Sequence, residues 1–417
     1  MAASRRTDFD VVIVGAGMVG SCLAALIARE ETLSHWRIAL VDPAVPRRPN
    51  DSETDLRVSA LSRASERILT AARAWEAIEP HASPYQRMVV WDAASTHERP
   101  DALRFSAAET AEPNLGYIVE NLRIQWALHE SPWLAGVTAV RSGLAELECD
   151  EDSARVELED GRRLSCQLVI GADGGQSVAR RLAGIGRAGG PYGQTAIVAH
   201  LQTAQPHRET AWQRFLPSGP LALLPLEDGR VSLVWSTSPE QADSLLQCSE
   251  AEFNERVSEA SDHVLGDATL TSARAGFPLA LWHAREYVRP RLALVGDAAH
   301  TIHPLAGQGV NLGFLDCAGL VQVLAEATSK GEEAYGMRVL RRYERWRRSE
   351  NALVLALCDT LNRLFAERSV AVAAVRRLGM SIVTQQPMLR RTLIERALGL
   401  GGDVPALGLR THPRGSS

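Results

Sequence analysis

The chain has 417 residues, 45% of them hydrophobic and 23% charged, with a formal net charge of −5 and an isoelectric point near 6.2. That length accommodates two domains, or one large domain carrying an inserted one, and the composition is that of an ordinary globular chain. The charge balance creates no global field toward nucleic acid or anionic lipid, and no uninterrupted apolar run approaches the ~18 residues of a membrane span.

Residues 1–8 carry no apolar leader, and a strand is predicted at 9–14, where the sequence Phe-Asp-Val-Val-Ile-Val suits a strand buried on both faces of a parallel sheet. It runs into Gly15, Gly17 and Gly20, then into an Ala- and Leu-rich helix at 21–30 and a second strand at 36–41 that ends in Asp42. In a nucleotide-binding turn the first glycine permits the tight bend and the second lets a pyrophosphate approach the backbone. The third lets helix and strand pack closely, and an acid about 20 residues on can bond ribose hydroxyls. A bare strand–turn–helix unit is the plain alternative. A second copy of the pattern, at Gly184, Gly186 and Gly189, follows a helical stretch and lacks a closing acid, so a loop is expected there.

Two further strands end in glycine turns. The strand at 166–170 leads into Asp173-Gly174-Gly175, where Asp173 could either serve a ligand or merely cap the helix predicted at 177–182. The strand at 291–295 leads into Gly296-Asp297, then His300, His303, Pro304, Gly307, Gly309, Val310 and Asn311, and a helix follows with Phe314, Cys317, Leu320, Val321 and Leu324 on one face. An acid at a strand end can hold a sugar-like hydroxyl, and glycines let amides approach a flat ring. His300 and His303 have too few ligand-type neighbours for a metal site, and packing or hydrogen-bonding roles are expected; no metal is predicted.

Between these sites, hairpins are expected at 155–168 around Asp160-Gly161 and at 221–235 around Asp228-Gly229. With strands at 195–201 and 211–216 the second hairpin would build an antiparallel sheet. Six scattered cysteines form no CxxC pair, so a reducing compartment is the default. Lys330 is the single lysine among 45 basic residues, which weakens any argument from one arginine. Near the C-terminus, Trp346, Leu353, Val354, Leu357, Leu361, Leu364 and Phe365 make an apolar helical stripe flanked by arginines. A helix packed on the nucleotide-binding domain is the plain reading, and a contact with membrane or partner protein is the functional one.

The three glycine sites, in this order and spacing, resemble the class A flavoprotein monooxygenases of the p-hydroxybenzoate hydroxylase fold. The stretches Asp55-Leu-Arg57-Val-Ser-Ala-Leu61, Val119-Glu-Asn121, residues 296–315 and Arg342-Tyr-Glu-Arg are similar to the ubiquinone-biosynthesis hydroxylases, over roughly residues 8–400. The resemblance implies an α/β fold: a Rossmann-like FAD-binding domain (1–75, 110–185 and 275–370), an inserted antiparallel-sheet substrate domain (76–109 and 186–274), and a C-terminal helical segment with a frayed tail (371–417). It implies that Gly15, Gly17, Gly20 and Asp42 hold the ADP part of FAD, and that Asp173-Gly174 lies near the pyrophosphate and the nicotinamide path. Gly296-Asp297 would bind the ribityl chain, with Pro304, Gly307, Gly309, Val310 and Asn311 under the isoalloxazine. Arg57 and Gln125 would sit beside the flavin.

The implied reaction is hydroxylation of a polyprenylated phenol. NADH or NADPH reduces FAD, O2 adds at the flavin C4a, and the resulting hydroperoxide attacks the ring. No catalytic acid or base is assigned. Rival readings are an FAD-binding scaffold subunit of a quinone-synthesis complex, a flavin reductase and a flavin halogenase. The last needs an active-site lysine, and Lys330 lies far from the cofactor motifs. The expected partners are the phenol, O2 and other ubiquinone-biosynthesis proteins, with no nucleic acid. The expected place is the cytoplasm, peripheral on the inner face of the membrane.

Overall fold

A computed structural model describes residues 7–50, 54–302, 309–366 and 386–410. Its first sheet runs in the order Val288–Arg289, Leu292–Leu294, Arg163–Gly171, Phe9–Val14, Ile38–Val41, Thr138–Val140. Phe9–Val14 pairs in parallel with a strand on each side, Val12 lying opposite Val169 and Ala39. Val11, Val12 and Ile13 are wholly buried, as an all-apolar strand covered on both faces must be. The Met18–Arg29 and Gly309–Ser329 helices pack beside it through Cys22, Leu23, Leu26, Phe314 and Cys317. Among the described residues one helix, Gly309–Ser329, is long and apolar enough to cross a membrane, but most of it is buried as a core element.

The second sheet has nine strands and is antiparallel except where Arg87–Asp92 runs beside Thr210–Leu216. Both expected hairpins are present: Ala154–Leu158 with Arg163–Gly171, turning at Gly161 (φ +82°), and Gly219–Pro225 with Val231–Thr237, turning at Gly229 (φ +89°). The first of these belongs to the first sheet; the second lies in the middle of the second. One face of the second sheet is covered by the Pro239–Gln247 and Glu250–Ala260 helices, which bury Ile197, Ala199, Leu233 and Trp235 against Phe253 and Val257. The other face turns toward the strand ends of the first sheet.

Three expectations need adjustment. The second glycine triplet is not all loop: Arg187–Thr203 is a 17-residue strand, and a Cβ on Gly189 would stand 2.1 Å from the Leu281 carbonyl, so that glycine serves strand pairing. Ala275–Ala284, placed from the sequence in the third FAD-binding segment, pairs along Arg187–Thr203 and so extends the second sheet. The Met337–Ala366 helix packs on more than the first sheet. Tyr343 joins the main core, while Phe365 stacks on Phe215 of the second sheet at 3.8 Å between ring centroids. Its stripe therefore divides, with Val354, Leu361 and Phe365 inward and Leu353 and Leu357 exposed.

Candidate active site

The strand ends of the first sheet and the inner face of the second enclose a cavity of about 800 Å³, within the range of small-molecule sites. Three turns meet at its floor because their strands are tied together at the ends. The Ala172 amide donates to the Val14 carbonyl (2.8 Å) and the Val295 amide to the Gly171 carbonyl (3.0 Å). Gly15 has φ +104°, and a Cβ there would meet the Ala172 carbonyl oxygen at 2.5 Å, so the first turn rests on the second. A Cβ on Gly20 would stand 1.8 Å from the Gly15 carbonyl oxygen; this glycine packs the helix onto the turn and does not line the cavity.

Gly17 differs. A Cβ there meets no protein atom within 4 Å, and its bare backbone borders the cavity. It also caps the Met18–Arg29 helix without a side-chain cap, and the first turn carries no acid. The orphan amides and the positive end of the helix are therefore left for an anion. Asp42 lines the same end, where its carboxylate accepts from the Ala16 amide (2.7 Å) and the Ala44 amide (2.8 Å) and so stiffens the turn. These features fit the pyrophosphate and ribose of a dinucleotide.

At the second turn, Asp173 accepts from the Val178 and Ala179 amides at 2.6 and 3.0 Å, so it caps the short Val178–Leu182 helix as well as lining the cavity. Gly174 (φ +78°) presents bare backbone beside it. Buried Arg180 donates to the carbonyls of Gly175 (3.3 Å) and Ala298 (3.1 Å), joining the second turn to the third. There Gly296 (φ +59°) aims Asp297 into the cavity. The Asp297 side chain is exposed to the open cavity, yet the protein packed around it desolvates its carboxyl and pushes it up, against the pull of His300 and Arg57.

The opposite wall is apolar. Ala196, Val198, Val234, Phe277 and Leu279 project from three neighbouring strands of the second sheet, and Ile302 and Val310 continue the surface. Arg57 reaches between the two walls, its guanidinium carbon 5.6 Å from the Phe277 ring centre.

Of the residues singled out in the sequence, Gly15, Gly17, Asp42, Arg57, Asp173, Gly174, Asp297, Gly309 and Val310 line this one cavity. Gly296 lies just behind it. Asn311 is buried, donating to the Ala60 carbonyl (2.8 Å) and accepting from the Ser62 amide (2.9 Å) and the Ser65 hydroxyl (2.7 Å), a tie between segments. Gln125 is half-buried one turn beyond Asn121; Asn121 lines the cavity and Gln125 does not. Pro304 and Gly307 lie outside the described residues.

The sequence reading missed Ala196, Val198, Val234, Phe277, Leu279 and Glu159, and it gave no individual role to Ser59, Thr301 or Ile302 within the motif stretches that hold them. It also missed buried His200, whose Nε2 lies 3.1 Å from the Asp55 carbonyl, two residues before Arg57, and whose ring burial pushes below the usual histidine range. Strand alternation at 196–200 could have flagged Ala196, Val198 and His200 as one face; Glu159 gave no signal.

Residues 8–356 match the family model described as FAD binding domain. The chain is 37% identical over 395 residues to the 3-demethoxyubiquinol 3-hydroxylase of Escherichia coli (strain K12), covering 94% of this chain and 98% of that protein. It is 35% identical to the mitochondrial ubiquinone biosynthesis monooxygenase COQ6 of Homo sapiens, covering 94% and 93%. Among solved structures, p-nitrophenol 4-monooxygenase PnpA from Pseudomonas putida DLL-E4 shares the fold, with a TM-score of 0.73 at 19% identity over 95% of this chain and 99% of that one.

Proposed function

The chain belongs to the FAD binding domain family, among the ubiquinone-biosynthesis hydroxylases, and on that premise we propose that it hydroxylates the ring of a polyprenylated phenol or benzoquinol. NADH or NADPH supplies the electrons and O2 the oxygen atom. The observation that carries this reading is the pairing of walls: three glycine turns across one cavity from a surface with no ionisable side chain.

Bound FAD supplies the chemistry of electron storage and oxygen activation. The protein supplies placement. Gly17 and the amides that open the Met18–Arg29 helix hold the pyrophosphate, and Asp42, already fixed by Ala16 and Ala44, accepts from ribose hydroxyls. Asp297 would accept from the ribityl chain and Arg57 would border the flavin, with Gln125 one helical turn behind the cavity-lining Asn121. The Gly309–Ser329 helix, whose first residues Gly309 and Val310 line the cavity, would favour negative charge on the ring. Val198, Val234, Phe277 and Leu279 receive an electron-rich apolar ring and keep water from it. No residue is given the role of catalytic base.

The first sheet and its helices serve as the FAD-binding domain and the second sheet as the inserted substrate domain, ahead of the C-terminal segment. We place the protein in the cytoplasm at the inner face of the membrane, where a prenyl tail resides and where exposed Leu353 and Leu357, beside Arg345 and Arg348, offer a contact. The test is to supply the FAD-loaded protein with a polyprenylated phenol, NADH or NADPH, and isotopically labelled O2. One labelled oxygen in the product, seen by mass spectrometry, is the expected result. Donor oxidation without oxygen entering any phenol would overturn the assignment and favour the scaffold or reductase readings.

A further inference from the structure

Asp316 is a carboxylate with no part in the chemistry described so far, yet four donors converge on it. It lies fully buried two turns into the Gly309–Ser329 helix. Its Oδ2 accepts from the Gly296 amide at 3.1 Å and lies 2.5 Å from His300 Nε2. Its Oδ1 accepts from Arg347 Nε at 2.9 Å and from Asn351 Nδ2 at 3.0 Å. Burial alone would push this carboxyl up, but His300, Arg347 and Asn351 outweigh it and hold it below the usual aspartate range, so it is a carboxylate. Arg347, 1% exposed, also donates to Asn351 Oδ1 at 2.9 Å, and Asn351 donates to the Tyr287 hydroxyl at 3.2 Å.

The plain reading is a weld between packed elements. That reading is incomplete, because burying an ion pair costs desolvation and well-packed apolar residues join helices at least as well. What an apolar contact cannot do is fix direction. Gly296 is the left-handed turn that sends Asp297 into the cavity, and His300 precedes the cavity residues Thr301 and Ile302. Gly309 and Val310, at the start of the helix that bears Asp316, also line the cavity, Gly309 next to Ile302. Asp316 thus ties the Gly296–His300 turn to the helix that begins at Gly309.

We infer that Asp316, with His300 and Arg347, is a positioning residue for FAD: it sets the spacing between the Asp297 turn and the helix start at Gly309. The inference rests on the FAD reading and goes beyond it by assigning residues that do not touch the cavity. Asp316→Asn keeps the shape but offers a single acceptor oxygen, so it cannot serve the Gly296–His300 side and the Arg347 side together.

The test compares FAD affinity, from quenching of flavin fluorescence, with the melting temperature of the FAD-free protein. Asp316→Asn is expected to weaken FAD binding by ~10- to 100-fold and to lower the melting temperature, since Arg347 loses its counter-charge. The double variant Asp316→Asn/Arg347→Met should recover the melting temperature but not the affinity, and its bound flavin should lose the resolved shoulder of its visible band. Recovery of both would reduce the network to a stabilising weld and overturn the inference; so would an Asp316→Asn protein that binds FAD within ~2-fold of wild type. Should Asp316→Asn fail to fold, His300→Leu decides by the same two readouts. Affinity is expected to fall and to return in part in His300→Gln, which restores a donor, and unchanged affinity in His300→Leu would again overturn it. A wild-type protein that takes up no FAD would instead sink the cofactor reading.

Discussion

The two walls of the cavity are made in opposite ways. The floor is backbone: bare glycine turns at the ends of buried strands, sharpened by Asp42, Asp173 and Asp297. The roof is side chain: Ala196, Val198, Val234, Phe277 and Leu279 on strands whose other faces are packed under helices. A floor of this kind suits a cofactor that never changes, because amides and turns hold phosphates and hydroxyls with little tolerance for substitution. The roof suits a substrate that differs between relatives, because exchanging an apolar side chain there reshapes the site without touching the turns.

The largest effects are expected from two glycines of the floor that differ by three positions. In Gly20→Ala the new Cβ would stand 1.8 Å from the Gly15 carbonyl oxygen, so backbone must move; the FAD-free protein should melt ~10 °C lower or fail to accumulate. In Gly17→Ala the new Cβ meets no protein atom within 4 Å and the residue's φ is −69°, ordinary for alanine. Its melting temperature should stay within ~2 °C of wild type while FAD affinity falls ~100-fold, because only the ligand is obstructed. If both variants behaved alike by calorimetry and FAD titration, the division between packing glycine and ligand glycine would be wrong.

The roof is tested more gently. Val234→Thr keeps β-branching and nearly the same volume but adds a hydroxyl to the apolar surface. FAD affinity should be unchanged, while kcat/KM for a polyprenylated phenol should fall ~5- to 30-fold through the unsatisfied polar group. A matching loss of FAD would show that the walls are not independent.

The floor could be read in the sequence because its signals are local: glycine, then acid, at fixed distances from a buried strand. The fold class and both D-G hairpins were legible for the same reason. The roof was not, since Val198 and Ile197 are equally apolar and only the tertiary arrangement decides which faces the cavity and which faces Phe253. Asp173 shows the limit of a local motif: its carboxylate caps the Val178–Leu182 helix and also lines the cavity, so the pattern alone does not choose between capping and ligand binding. The Asp316 network was invisible for another reason, since its partners at Gly296, His300, Arg347 and Asn351 span 55 residues and no spacing rule connects them.

The smallest effect separates what the floor does for the ligand from what it does for the fold. Desolvation by the surrounding protein raises the Asp297 carboxyl in the folded protein above its unfolded value of about 3.9. A group raised on folding favours the folded state fully only below the unfolded value, and that contribution is lost as pH rises through the folded one. Ionising the side chain is therefore a burden on the FAD-free protein, and a limited one because the side chain is exposed to the open cavity. Asp297→Asn should raise the melting temperature of the FAD-free protein at pH 7 by no more than a few degrees, with the difference vanishing at about pH 3, where both forms are neutral. The same substitution should weaken FAD binding, since an amide is a poorer acceptor for ribityl hydroxyls than a carboxylate. Opposite signs in the two measurements would mark Asp297 as a residue kept for its ligand at the expense of the fold. A fall in both would mean that its charge also holds the turn together, through Arg57 or His300.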